Sequence, residues 1–171
     1  MHEACNIDCT SAIELRLTGL WGTTGLQEEC PNGHFVTAFK TKMSLNQGIT
    51  GVRLQCNDPS QEEIHSLEHP DGSYGEFVLS CPGGYTKIKG KFHPNQPDGD
   101  NRDCTCVDMY CPETGQWHKS ICEPGYFPAT FQGPESCDPG QVICGIKTKV
   151  WMGDGDKTGL GSVFMRCCVK P

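Results

Sequence analysis

The sequence predicts an all-β domain in which one unit is used three times, and three observations carry that prediction. First, a strand-turn-strand pattern recurs. It runs from Phe39-Lys-Thr-Lys42 to Val52-Arg-Leu-Gln-Cys56, from Ile88-Lys-Gly-Lys91 to Val107-Asp-Met-Tyr-Cys111, and from Cys144-Gly-Ile-Lys-Thr-Lys-Val150 to Val163-Phe-Met-Arg-Cys-Cys168. Second, apolar and polar residues alternate within these stretches, which is the period of a strand with one buried face. Third, Gly and Pro punctuate the chain at short intervals and no stretch shows helical periodicity. Three similar sheets in one domain favour a pseudo-threefold β-prism. A two-sheet sandwich is the alternative arrangement of the same strands.

The elements follow in order. Residues 1–19 read as an N-terminal extension with its own pair, Cys5 and Cys9, and with a strand over Ser11-Ala-Ile-Glu-Leu-Arg-Leu17. Residues 20–171 read as a single prism domain, with repeats at about 20–56, 74–111 and 117–168. The first repeat opens at Leu20-Trp-Gly22 and turns at Cys30-Pro-Asn-Gly33, where Pro fixes φ and Gly permits a positive one. Its central turn is Asn46-Gln-Gly48. Residues 57–72 are polar and Pro-containing, and read as a connecting loop. The second repeat opens at Tyr74-Gly75, turns at Cys81-Pro-Gly-Gly84, and has a long central turn from His93 to Asp103. The third opens at Trp117. Cys137 precedes Ile146 by the same nine residues that separate Cys30 from Phe39, so Cys137 is the repeat equivalent and 122–136 reads as an insertion.

Composition narrows the function classes. Thirteen cysteines in 171 residues point to disulfides in an oxidising compartment, because none of the close pairs has zinc-ligand spacing. A secreted protein would have lost its leader, since Met1-His-Glu-Ala has neither a basic start nor an apolar run. No apolar stretch is long enough to span a bilayer. A formal charge of -7 argues against nucleic acid as a partner.

The repeated aromatic-Gly opening, Cys-Pro-x-Gly turn, apolar-Lys-x-Lys strand and strand ending in Cys resemble the vitelline membrane outer layer protein I family. The agreement is strongest at Ile143-Cys-Gly-Ile-Lys-Thr-Lys-Val150 and Phe164-Met-Arg-Cys-Cys168, and it covers about residues 20–171. The resemblance implies a secreted β-prism of three Greek-key sheets. It also brings an association with egg outer layers and with transfer chemistry between chito-oligosaccharides. The family's turns usually carry Asp-Asp-Thr followed by Asn, whereas the first repeat here has Asn46-Gln-Gly-Ile-Thr50, with no acid.

Within that frame, pairing Cys30 with Cys56 and Cys81 with Cys111 would staple the first turn of each unit to its last strand. Cys137 and Cys144 would pair with Cys167 and Cys168, in either combination. An odd number of cysteines leaves at least one free or bridged to another molecule, with Cys5, Cys9, Cys104, Cys106 and Cys122 as the candidates outside the repeat pattern.

The acidic turns are the candidate ligand site: Asp98, Asp100 and Asp103 in the second repeat, Asp154 and Asp156 in the third, with Trp151 beside them as a surface for a sugar ring. Asp also occupies turns for backbone reasons alone. Asp98-Gly-Asp-Asn-Arg-Asp103 lacks the spacing of a helical calcium-binding loop. Trp21, Tyr74 and Trp117 read as core layers rather than ligand platforms. No nucleophile, metal-ligand or phosphate-loop motif is present, so no catalytic residue, metal ligand or cofactor is nominated.

The expected function is that of a secreted, disulfide-stabilised structural or protective extracellular protein. Its expected partners are an extracellular glycan or matrix protein, with an intermolecular disulfide through an unpaired cysteine. A carbohydrate-binding module is the alternative, followed by a glycan-transferring enzyme.

Overall fold

The computed structural model describes residues 14–18, 22–44, 48–92, 101–102, 104–120, 130–152 and 157–171. Within them the protein is all strand, turn and loop. In chain order the strands are β1 (Glu14–Thr18), β2 (Thr23–Thr24), β3 (Glu28–Glu29), β4 (Val36–Ser44), β5 (Gly48–Cys56), β6 (Glu63–Ile64), β7 (Ser73–Tyr74), β8 (Lys87–Phe92), β9 (Asn101–Arg102), β10 (Cys104–Cys111), β11 (Gln116–Lys119), β12 (Thr130–Ser136), β13 (Gln141–Trp151) and β14 (Lys157–Val169). They form three sheets. The first has the order β6-β5-β4-β7, the second β11-β10-β8-β12, and the third β1-β14-β13-β2, with β3 also on β13.

The first two sheets share one topology. Three antiparallel strands follow one another, and a fourth returns to lie beside the first, which is a Greek key. The third sheet has the same spatial order but not the same chain order. Its two outer places are taken by β1 and β2, which precede the central hairpin in the chain. The strand expected near residues 11–17 is present as β1, and its place is in this sheet, with Leu15 opposite Met165. The fold therefore ties the start of the chain to its end.

The three central hairpins agree residue by residue. Phe39 lies opposite Leu54, Ile88 opposite Met109, and Ile146 opposite Met165. These six side chains are fully buried, as are Val52, Val107 and Val163. With Cys56, Cys111 and Cys167 they form the inner rows that meet around the pseudo-threefold axis. Period-two alternation explains why: each buried residue is followed by one that faces outward. The architecture is a β-prism of three Greek-key sheets.

The junctions repeat as well. Cys30 N–H donates to the Cys144 carbonyl, Cys81 N–H to that of Thr37, and Cys137 N–H to that of Thr86, so each unit hangs on the preceding sheet in the same way. Each of these cysteines then closes a disulfide inside its own unit: Cys30–Cys56, Cys81–Cys111 and Cys137–Cys167, with Cα separations of 5.7, 5.8 and 5.7 Å. The fourth bridge, Cys144–Cys168, belongs to the third unit alone. Cys144 is the extra residue of a bulge between Ile143 and Gly145, and Thr37 holds the matching bulge in the first unit.

Two sequence expectations need correction. Residues 130–136 are not insertion but the fourth strand of the second sheet. The opening aromatics are not equivalent: Tyr74 lies in a fourth strand and Trp117 in a third strand, both half-buried on outer faces rather than in the core. Trp21 lies outside the described residues.

Candidate functional site

The acidic stretches fall in sequence between β8 and β10 and between β13 and β14. Asp98, Asp100, Asp103, Asp154 and Asp156 fall outside the described residues, but the backbone that flanks them does not. β9 pairs in parallel with the first residues of β14, Asn101 opposite Lys157 and Thr158 opposite Arg102. The segments that follow Asp100 and Asp156 are therefore neighbours. Trp151 ends β13 opposite Gly159 and is half-buried, at the foot of the third turn.

The outer sheet faces carry the other concentration of polar chemistry. Period-two alternation sends the lysines of each apolar-Lys-x-Lys strand outward, where they meet aromatic rings. On the first sheet, Lys40 Nζ is 4.5 Å from the Phe77 ring and 5.4 Å from that of Tyr74, and the Arg53 guanidinium is 4.5 Å from the Tyr74 ring. On the second, Lys87 lies 4.7 Å from the Tyr110 ring and Lys89 4.3 Å from that of Trp117. On the third, Lys147 lies 5.0 Å from the Phe164 ring.

Glu68 organises the first face. Its carboxylate accepts hydrogen bonds from Tyr74 Oη and from Arg53 Nε, the latter at 3.0 Å, and His65 Nδ1 lies 3.0 Å away. Burial, reinforced by the bond to Glu68, pushes the Tyr74 phenol well above its ordinary range. The cluster depends on Gly51. A Cβ there would stand 2.7 Å from Tyr74 Oη and 3.0 Å from Glu68 Oε2. Glu68 sits in the polar 57–72 stretch, whose composition reads as a connecting loop. No periodic signal marks it, because its partners are 6 and 15 residues away.

Asp108 is the unusual group of the second face. It follows Val107 and precedes Met109, both fully buried inward, so it points outward, opposite Lys89 and Lys119. Yet it is only 3% exposed, and its Oδ1 has no hydrogen-bond partner. Burial raises its pKa, against the opposing pull of Lys89, Lys119 and Lys91. The sign of the consequence follows by linkage. The folded state holds the proton more tightly than the unfolded one, so this group's contribution is most favourable at acid pH and falls as pH rises through the raised pKa. We expect Asp108→Asn to raise the melting temperature at neutral pH and to flatten its dependence on pH across the acid range. Thermal melts at several pH values check this. A lower melting temperature at neutral pH would show that the three lysines outweigh burial.

The cysteines whose bonding is described, Cys30, Cys56, Cys81, Cys106, Cys111, Cys137, Cys144, Cys167 and Cys168, are all in disulfides and offer no thiolate for chemistry. Glu29 with Cys144 and Cys168, and Glu113 with Cys81 and Cys111, bring potential ligand atoms within 4.8 Å, but all four sulfurs are in disulfides. Cys106 is disulfide-bonded too, which removes it from the candidates for the odd cysteine.

Three disulfide-stapled sheets around a pseudo-threefold axis, with cations over aromatic rings on their outer faces, define a β-prism protein. The vitelline membrane outer layer protein I family model matches residues 11–170, and the chain belongs to that family. It is 30% identical to the human vitelline membrane outer layer protein 1 homolog, the match covering 93% of this chain and 83% of that one. It is 29% identical to the Mus musculus homolog, over 92% of this chain and 83% of that one.

Among solved structures, the prostate-specific WGA16 glycoprotein lectin superposes with a TM-score of 0.63 at 12% identity, covering 93% of this chain and all of that one (100%). The Calsepa lectin solved with a biantennary N-glycan gives 0.60 at 10% identity, covering 92% of this chain and 98% of that one. The mannose-binding jacalin-related lectin from Ananas comosus gives 0.58 at 12% identity, with the same coverage of 92% and 98%. At such identities the likeness is one of fold. Family and disulfides are consistent with an extracellular location, and no helix among the described residues is long and apolar enough to cross a membrane.

Proposed function

We propose that the protein is a secreted structural or protective component of an extracellular layer. The observation that supports this is the disulfide at the same place in each sheet, closing loops of 26, 30 and 30 residues around a core built from short strands. Such bridges form and persist in oxidising, extracellular surroundings, where they supplement a small core. An odd cysteine count suits attachment to a neighbour, since thirteen sulfurs do not all pair within one chain. The test is to express the chain behind a secretion leader in cultured cells that deposit a matrix. Retention in the deposited layer, partly released by reductant, is expected. A protein recovered only as free monomer in the medium would sink the proposal.

Glycan recognition at the acidic stretches is a second reading, and the β9–β14 pairing favours it. That pairing joins the segments that follow Asp100 and Asp156, so Asp98, Asp100, Asp103, Asp154 and Asp156 would present acceptors for sugar hydroxyls beside Trp151. The check is titration with chito-oligosaccharides and with calcium, comparing the wild type with Asp154→Asn plus Asp156→Asn. Unchanged affinity in the double variant would return these residues to a turn-forming role.

A further inference from the structure

We infer that Asn32 is a modification site: its side-chain amide closes onto the Gly33 nitrogen, and water opens the product to a mixture of aspartate and isoaspartate. Asn32-Gly33 is the one Asn-Gly step in the sequence. It occupies the middle of the turn from Pro31 to His34, which His34 N–H closes by donating to the Pro31 carbonyl at 2.9 Å. Both residues are exposed, and neither the Asn32 amide nor the Gly33 N–H has a hydrogen-bond partner among the described residues. Gly33 has a φ of +78°, and nothing lies within 4 Å of where its Cβ would stand. The peptide between the two residues is the central one of the turn. Turn types I and II differ by rotation of that peptide and share the closing bond, so the Gly33 nitrogen can swing toward Asn32 Cγ without opening the turn. A side chain at position 33 would crowd that approach, and glycine has none.

The Gly33 nitrogen forms a bond to Asn32 Cγ, the Cγ–Nδ2 bond breaks, and ammonia leaves carrying the former amide proton. One water then opens the cyclic imide. Attack at Cγ restores the main chain and gives aspartate. Attack at the main-chain carbonyl gives isoaspartate, with the chain running through the side-chain carbon. Either product places a carboxylate on a turn that was neutral at this position, two residues from Cys30, whose N–H ties the first unit to the Cys144 carbonyl. Two other steps show what prevents the reaction. Asp71-Gly72 would close the same imide by losing water. There, however, Thr50 Oγ1 donates to the Asp71 carbonyl at 2.8 Å, and a Cβ at Gly72 would stand 2.6 Å from the Met43 carbonyl oxygen, so the peptide is held. Asn57 precedes Asp58 rather than a glycine, and its Oδ1 accepts from Phe35 N–H at 2.9 Å.

The experiment incubates the folded, disulfide-intact chain in heavy-oxygen water at neutral and at mildly alkaline pH. Peptide mapping by mass spectrometry then separates aspartate from isoaspartate at each position. We expect position 32 to convert with heavy oxygen incorporated and isoaspartate the larger product. Conversion should be several-fold faster at alkaline pH, because the attacking nitrogen reacts as its anion. Asn57 should lag many-fold behind, and no isoaspartate should form at position 71. Asn32→Gln, whose longer side chain closes a larger ring, should stay unconverted over the same time. Gly33→Ala should slow the reaction several-fold; because its φ strains the turn, the comparison of Asn32 with Asn57 within the wild type carries the test independently. Absence of isoaspartate at position 32 would overturn the inference. So would conversion there no faster than at Asn57, or conversion that occurs only after the chain is unfolded in urea.

Discussion

Replacing both Cys81 and Cys111 with alanine is expected to lower the free energy of unfolding by about 3–4 kcal/mol. The bridge closes a loop of 30 residues, and both cysteines are fully buried between the second sheet and the axis. In the chain-entropy account, loss of the cross-link frees that loop in the unfolded state, and the small buried methyl groups add a modest packing loss. Against a total stability of roughly 5–15 kcal/mol for a domain, this is a large share. Urea unfolding followed by tryptophan fluorescence measures it. A midpoint unchanged from that of the wild type would mean that the sheet junction, through the Cys81 N–H bond to Thr37, holds without the bridge.

Phe39→Ala should cost a comparable amount, about 3–5 kcal/mol. Phe39 is fully buried in the first sheet's inner row and meets the Tyr85 ring edge to face at 5.7 Å. Tyr85 in turn engages His118 of the second sheet, with Oη 2.8 Å from Nδ1, and donates toward the Leu79 carbonyl at 3.1 Å. The Phe39 ring therefore fills space on the axis and braces the seam between two sheets. Its equivalents, Ile88 and Ile146, are smaller, so neither neighbouring unit has a spare aromatic ring to fill the void. Phe39→Leu should recover most of the loss, because an emptied volume costs more than a lost ring contact. Equal destabilisation by Leu and Ala would point instead to the edge-to-face contact.

The two effects fall on features with different histories in the chain. The buried row that contains Phe39 was legible from alternation: a strand with one wet face writes its pattern into adjacent residues, and all three units write the same one. The acidic turns read from the sequence lie outside the described residues, and only segments that follow them, β9 and the start of β14, are placed side by side. Their carboxylates could be named, but residue spacing alone does not say that β9 pairs with β14.

What the sequence by itself determined is local: three hairpins, their inward rows, their outward lysines, and the correspondence of Cys30, Cys81 and Cys137. What only the tertiary structure decided is non-local. β1 completes the third sheet against β14, at the far end of the chain, and no local pattern encodes a partner at that distance. Cys167 goes to Cys137 and Cys144 to Cys168, a choice made by a bulge that offsets Cys144 from Ile143. Glu68 gathers Tyr74, Arg53 and His65 because a loop folds back over Gly51, and the glycine signals only that space is needed, not what fills it. Tyr74 and Trp117 looked alike in sequence, yet they sit on different strands of different sheets. Alternation fixes which side of a strand a residue faces, whereas sheet order and strand return decide what lies beside it.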